Sequence, residues 1–236
     1  MDKKTLQDRR QQILDGACGL ILRYGYDKTT VQEIAEAAGV SKGSIYLEFS
    51  GKKELFEALL VREIRRYLKR WVECVERDPV GGTLAGVYRN ILVAQRESEL
   101  VEAIYRQDAT ILGSYLRTEG NLFESLHASE YFYAAMQEAG MMRADLDAKV
   151  VAHVVDLIRY GLLTMGSIRD RSTFPPFEEV LELIVEIVDR TFAPEGGGDG
   201  EVGLVVVKRF FGKLMQALDE LEEVKGLAQS SGLEDD

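Results

Sequence analysis

The sequence predicts an all-α protein: a three-helix head, a helical-bundle body and an extra C-terminal helix. Three observations carry this. Apolar residues recur at three- and four-residue spacing through most of the 236 positions, the period of a helix with one buried face. Only four prolines interrupt them, and alternating β-branched runs, the mark of half-buried strands, are scarce.

The first helix is expected from Thr5 to Tyr24, where Leu6, Ile13, Leu14, Ala17, Leu20, Ile21 and Tyr24 share a face and Gly25 ends the run. Two short helices joined by a tight turn follow. Thr30 is a suitable N-cap and Glu33 completes a capping box; Val31, Ile34, Ala35 and Ala38 form an apolar face, and Gly39 suits a C-terminus that needs positive φ. Ser41 caps again, and the second helix runs to about Phe49 with Ile45 and Phe49 on one side. This is helix-turn-helix grammar, in which the second helix enters a DNA major groove. With Ile45 and Phe49 inward, Gly43, Ser44 and Leu47 point outward, flanked by Lys42 and Tyr46. Ser44 suits a base edge and Leu47 a thymine methyl; Lys42, Tyr46 and Lys52 suit phosphates, as do Ser41 and the free amides it heads. Thr29 and Thr30, at the start of the pair, complete the expected DNA-contact set. Glu48 suits either reading a cytosine amino group or repelling phosphate.

A long fourth helix is expected from Ser50 or Gly51 to Arg77, followed by a break at Asp78-Pro79 and Gly81-Gly82. Further helices are expected over Thr83–Arg96, Glu97–Arg117, Glu119–Ala139 (closed by Gly140), Leu146–Ile168 and, after Pro175-Pro176, Phe177–Phe192. The last two are apolar on more than one face, which fits either a deep position in one core or pairing across a subunit interface. Beyond Pro194, residues 194–203 read as a flexible Gly-rich linker. Val207, Phe211, Leu214, Leu218 and Leu221 then predict an amphipathic helix that needs a surface to lie on, its own body or a partner's. The LVVV run before it also suits a short strand. The expected organisation is therefore a head over 1–51, a body over 52–193, a linker over 194–203, and a C-terminal helix with a disordered tail over 204–236.

The run YGYDKTTVQEIAEAAGVSKGSIYLEFSGKKELFEALL resembles the N-terminal domain of the TetR family of transcriptional regulators. Gly25, Thr29, Thr30, Ile34, Ala35, Ala38, Gly39, Val40, Ser41, Gly43, Tyr46, Phe49, Lys52, Leu55 and Phe56 carry the match. Leu47 and Glu48 depart from it, standing where members often carry His, Tyr or another aromatic polar group. The resemblance implies a homodimeric repressor that binds a near-palindromic operator in double-stranded DNA and leaves it when a small apolar or amphipathic ligand enters the body. It also implies a dimer interface on the last two body helices, here Val151, Val155, Ile158, Leu162, Ile184, Ile187 and Val188. An apolar ligand pocket between bundle helices is expected among Tyr88, Tyr105, Phe123, Tyr131, Phe132, Met136 and Met165, residue types that equally make plain core.

Charge fits a DNA-binding head. The formal net charge is −11, yet residues 1–70 hold 14 Lys and Arg against 10 Asp and Glu, while the remainder holds 15 against 30. The two cysteines and two histidines lack metal-ligand spacing, and no P-loop, GxSxG or post-strand GxGxxG occurs. No enzyme activity, metal or cofactor is expected. With no apolar leader and no membrane-length apolar run, a cytoplasmic protein without membrane partners is expected. A helical small-molecule enzyme and an acidic protein-interaction adaptor are the other classes the composition allows.

Overall fold

The structure is a computed structural model that describes residues 3–118, 129–168 and 170–227. The described residues form eleven α-helices: α1 Lys3–Tyr24, α2 Val31–Ala37, α3 Lys42–Glu48, α4 Lys52–Arg77, α5 Leu84–Arg96, α6 Glu99–Arg106, α7 Ala109–Leu112, α8 Ser129–Glu138, α9 Ala148–Ile168, α10 Phe177–Phe192 and α11 Gly200–Val224. Short 3₁₀ turns occupy Gly113–Arg117 and Arg171–Thr173. The described residues are all-α, as the residue spacing predicts.

It divides into two compact units. The first comprises Met1–Arg65, Gln107–Phe123 and Met215–Asp236, the second Arg66–Arg106 and Glu124–Leu214.

The first unit is built on α1. Its Ile13, Leu14, Ala17 and Ile21 are buried with Ile34, Ala35, Ile45, Phe49, Leu55 and Phe56. Gly16 brings α1 and α2 close, since a Cβ there would lie 3.2 Å from the Ala38 amide. The turn after α1 is clasped by the α7 segment: the Tyr26 amide donates to the Ile111 carbonyl at 2.8 Å. Both oxygens of Asp27 accept from the Ser114 amide, at 3.1 and 3.0 Å, and the Ser114 hydroxyl donates to Asp27 as well. Tyr26, Phe56 and Tyr115 stack around this point, with ring centroids 4.7 to 6.0 Å apart.

The C-terminal end of α11 belongs to this same unit. Arg65 of α4 donates to Asp219 at 2.7 Å and to Glu222 at 2.6 Å, neighbours on one face of α11. Lys225 Nζ donates to the buried Glu57 carboxylate at 3.0 Å, and the Tyr115 hydroxyl donates to the same oxygen at 3.0 Å. Gly226, at φ +66°, ends the helix in a Schellman turn. There the Leu227 amide donates to Glu222 at 2.7 Å, which buries the Leu227 side chain.

In the second unit α8 packs on α9 and α10 on α5. Trp71, Phe132 and Phe210 form an aromatic cluster with centroids 4.9 to 6.4 Å apart. The start of α11 passes very close to the turn before α5. A Cβ on Gly203 would sit 1.9 Å from the Gly82 carbonyl, and one on Gly82 would sit 1.9 Å from the Gly200 carbonyl.

Three expectations about elements need correction. The helix expected over 97–117 breaks after Arg106: Gln107 adopts φ 49°, and Asp108 caps a new helix by accepting from the Thr110 amide at 2.9 Å. The apolar rhythm runs on across that break, so periodicity alone does not reveal it. The residues expected as linker are partly helical: α11 starts at Gly200, and Asp199 receives the Glu201 amide at 2.9 Å as its cap. Gly200 and Gly203 serve a close crossing rather than slack. The LVVV run is helical, not strand. The helix expected from Glu119 is described only from Ser129 onward, and residues 119–128, Phe123 among them, lie outside the described residues.

Candidate nucleic-acid interface and body site

The helix pair is set by its caps. Thr30 accepts from the Glu33 amide at 3.2 Å while Glu33 accepts from the Thr30 amide at 2.8 Å, a complete capping box that typically contributes about 1 kcal/mol. The Thr30 hydroxyl, donating to the Glu33 carboxylate at 2.8 Å, and then the Thr30 amide hold that carboxyl below its usual range. Gly39 at φ +65° closes α2, with the Val40 amide returning to Ala35 at 3.0 Å. Ser41 then caps α3, accepting from the Ser44 amide at 3.0 Å, and its hydroxyl lies 2.8 Å from that of Ser44.

The outer face of α3 is open. Ile45 and Phe49 are buried, whereas Leu47 is 79% exposed, Tyr46 is 51% exposed, and Lys42 and Gly43 are exposed. Ser44 is half-buried. Leu47, Tyr46 and Lys42 thus share the solvent-facing side of this short capped helix.

Two expected contact residues are instead committed within the head. Thr29 is buried, and its hydroxyl donates to the Gly25 carbonyl at 2.9 Å, which withdraws it from any contact surface. Lys52 is half-buried: its ammonium donates to the Tyr26 and Thr29 carbonyls at 2.9 and 3.1 Å and lies 4.3 Å over the Tyr26 ring. It ties the α1–α2 turn to the start of α4.

Glu48 faces inward as well. Its carboxylate accepts from the Arg9 guanidinium, and Arg10, stacked 4.4 Å over Phe49, lies within 4.0 Å. Neither reading of Glu48 as a DNA-facing group fits this position. Arg10 is itself buried, and its other nitrogen donates to the Leu227 carbonyl at 2.6 Å. These two arginines were missed as structural residues; the signal was two adjacent arginines in a head whose second short helix carries one acid.

In the second unit the expected pocket residues are scattered. Tyr88, Phe132 and Met136 are buried, but Tyr131 is 53% exposed with its hydroxyl beside Lys213, and Met165 is at the surface. Tyr105 is partly exposed, its ring covering the Arg159 guanidinium at 3.6 Å. An open groove of about 580 Å³ lies elsewhere, lined by Arg70, Cys74, Arg77, Asp78, Val80, Arg89 and Asn90.

Of the expected interface residues, Val151, Val155 and Val188 belong to the core. Ile158, Leu162 and Ile184 are half-buried and Ile187 is exposed. The outward stripe runs one position from the expected residues on α9, through Val150, Val154 and Leu157, and on α10 through Leu183 and the expected Ile187. The apolar character on several faces of these helices hid which face was inward.

No group of three or more His, Cys, Asp or Glu among the described residues is placed to hold a metal ion. No helix among them is long and apolar enough to cross a membrane.

A capped helix pair whose second helix is open is helix-turn-helix geometry, the arrangement DNA-binding regulators use. The sequence profile described as "Bacterial regulatory proteins, tetR family" matches residues 13–59. The chain is 30% identical over 164 residues to HTH-type transcriptional repressor Rv1474c of Mycobacterium tuberculosis, covering 67% of this chain and 82% of that one. It is 24% identical over 247 residues to the uncharacterized HTH-type transcriptional regulator YerO of Bacillus subtilis, covering 98% and 80% respectively. The fold is similar to that of the transcriptional regulator FadR from Bacillus subtilis in complex with stearoyl-CoA, with TM-score 0.58 at 19% identity, covering 75% of this chain and 96% of that one. This chain belongs to the TetR family of transcriptional regulators. Its relatives are regulators of transcription rather than enzymes.

Proposed function

We propose that the protein is a homodimeric repressor that binds a near-palindromic operator through α3 and is released by a small molecule held in the second unit. The observation that carries the DNA reading is the open face of α3, where Lys42, Gly43, Tyr46 and Leu47 are exposed around a buried Ile45–Phe49 seam. Lys42, Tyr46 and the Ser41-capped helix start take phosphates, which fix position. Leu47 and Ser44 meet base edges. Thr30 flanks them at the start of α2.

Two-fold symmetry is what reads a palindrome. The exposed apolar stripe of Val150, Val154, Leu157, Leu183 and Ile187 supports a dimer made by α9 and α10, since such a patch on a monomer is unfavourable to leave in water. For the ligand, support comes from the FadR fold neighbour, whose structure is a complex with stearoyl-CoA; a small apolar or amphipathic molecule is the corresponding proposal here. Release needs only a few kcal/mol of coupling between the two sites.

A mobility shift with DNA flanking the protein's own gene tests the reading. Retardation that requires Lys42 and Leu47 is expected; the absence of any sequence-preferring shift contradicts it.

A further inference from the structure

Arg159 is a buried charge that forms no ion pair among the described residues. It lies on the inner face of α9 and is 7% exposed. Its Nε donates to Gln95 Oε1 at 2.5 Å, its Nη2 donates to the Tyr67 hydroxyl at 2.8 Å, and its plane lies 3.6 Å from the Tyr105 ring centre. All three partners are neutral, and no acid among the described residues forms an ion pair with it. Asp156, one turn back on the same helix, attracts the guanidinium from a distance, but it is exposed and its carboxylate accepts from the Ser129 hydroxyl at 2.9 Å. The phenols do not supply the charge either: burial pushes Tyr67 and Tyr133 up and Tyr88 up to about 12, so they stay protonated. A charge held this way is costly unless something pairs with it.

The neighbouring groups have the same deficiency. A guanidinium only donates, so Gln95 must turn its oxygen toward Arg159. Its amide nitrogen is thereby directed away and has no acceptor, although the residue is fully buried. The Trp71 indole N–H, one turn beyond Tyr67 on α4, is also buried without a partner. This part of the core has surplus donors and a surplus positive charge, and what it lacks is an anionic acceptor. Beside it stands the Trp71–Phe132–Phe210 aromatic cluster, which suits an apolar body. Tyr105, 41% exposed, covers the guanidinium on its solvent side.

We propose that Arg159, with the Gln95 amide, is the recognition point for the carboxylate of an amphipathic ligand whose apolar part lies along the aromatic cluster. This deepens, and rests on, the reading of the second unit as the small-molecule domain. A carboxylate accepts from a guanidinium edge and an amide at once, which a neutral head group does not match.

The test uses the full chain and matched probes: straight-chain alkanoates of eight to twelve carbons against the corresponding alcohols, and 4-phenylbutyrate against its amide, all below aggregation. Trp71 is the only tryptophan, so its fluorescence reports binding without DNA. The acids are expected to bind at least about tenfold more tightly than their neutral counterparts, and Arg159→Met to lose that preference without a lower melting temperature. A second variant guards against misfolding: Gln95→Glu supplies an internal carboxylate and is expected to raise the melting temperature and block the acids. Equal binding of acids and neutral probes overturns the carboxylate site while leaving the small-molecule domain standing. No binding by any acid, or acid binding unchanged in Gln95→Glu, also overturns it. Operator release is measured separately, so a failure of the regulatory reading is distinguishable.

Discussion

Lys52 and Lys42 look alike in the sequence and have opposite jobs in the structure. Lys52 is tied to two carbonyls of the α1–α2 turn, and hydrogen bonds from a charged donor contribute about 1.5–3 kcal/mol. Lys52→Ala is therefore expected to lower the melting temperature while leaving the salt dependence of DNA binding unchanged. Lys42 is exposed, and Lys42→Ala should leave the fold intact and reduce the slope of log affinity against log salt by about two, one phosphate contact per head of a dimer. Leu47→Ala should alter base preference, read from a base-substitution panel. Asp27 gives a pH signature. Its bonds from Ser114, side chain first, hold its carboxyl below the usual 3.8. A depressed folded pKa adds stability above the unfolded value that is lost as pH falls through the folded one. Asp27→Asn should therefore melt below the native protein at neutral pH, and the gap should close in acid. The facing of α3 was legible from its spacing; the tethering of Lys52 and of Glu48 was not. Their partners, Tyr26, Thr29 and Arg9, are 23 to 39 residues away in the chain.

Helix boundaries marked by chemistry were readable. Thr30, Ser41 and Thr83 all cap the helices they precede, and Gly39 and Gly140 take positive φ. Where the marker was a single Asp inside a continuing apolar rhythm, at Asp108, the break was hidden. The inward faces of α9 and α10 were hidden for another reason: with apolar residues all round, period alone does not say which side meets the core. The exposure pattern makes the prediction sharp. Leu157→Glu or Ile187→Glu should give a folded monomer in sedimentation velocity, whereas Val155→Glu should unfold the chain, because Val155 is 3% exposed. The end of α11 is an element whose anchors, Arg65, Glu57 and Arg10, are all distant in sequence. A chain ending at Gly198 leaves the Glu57 carboxylate, 5% exposed, without Lys225. It is expected to lose about 2 kcal/mol or more from that pair alone, read as a lower denaturation midpoint.

At the scale of the whole chain, three connections join the two units within the described residues. The boundary falls inside α4 between Arg65 and Arg66, between Arg106 and Gln107, and inside α11 between Leu214 and Met215. Two of the three fall inside a continuous helix. The sequence made the first of these visible, through the length of the fourth helix. The central claim is that two copies read one symmetric site through α3. The direct measurement is selection of bound sequences from a random duplex library, followed by stoichiometry of the complex on the enriched site. The account predicts a near-palindromic site holding one dimer or an even number of chains, with Leu47→Ala shifting the enriched bases. An enriched site without two-fold symmetry, a single chain bound per site, or the same enrichment from Leu47→Ala and Lys42→Ala chains at unchanged affinity would contradict it.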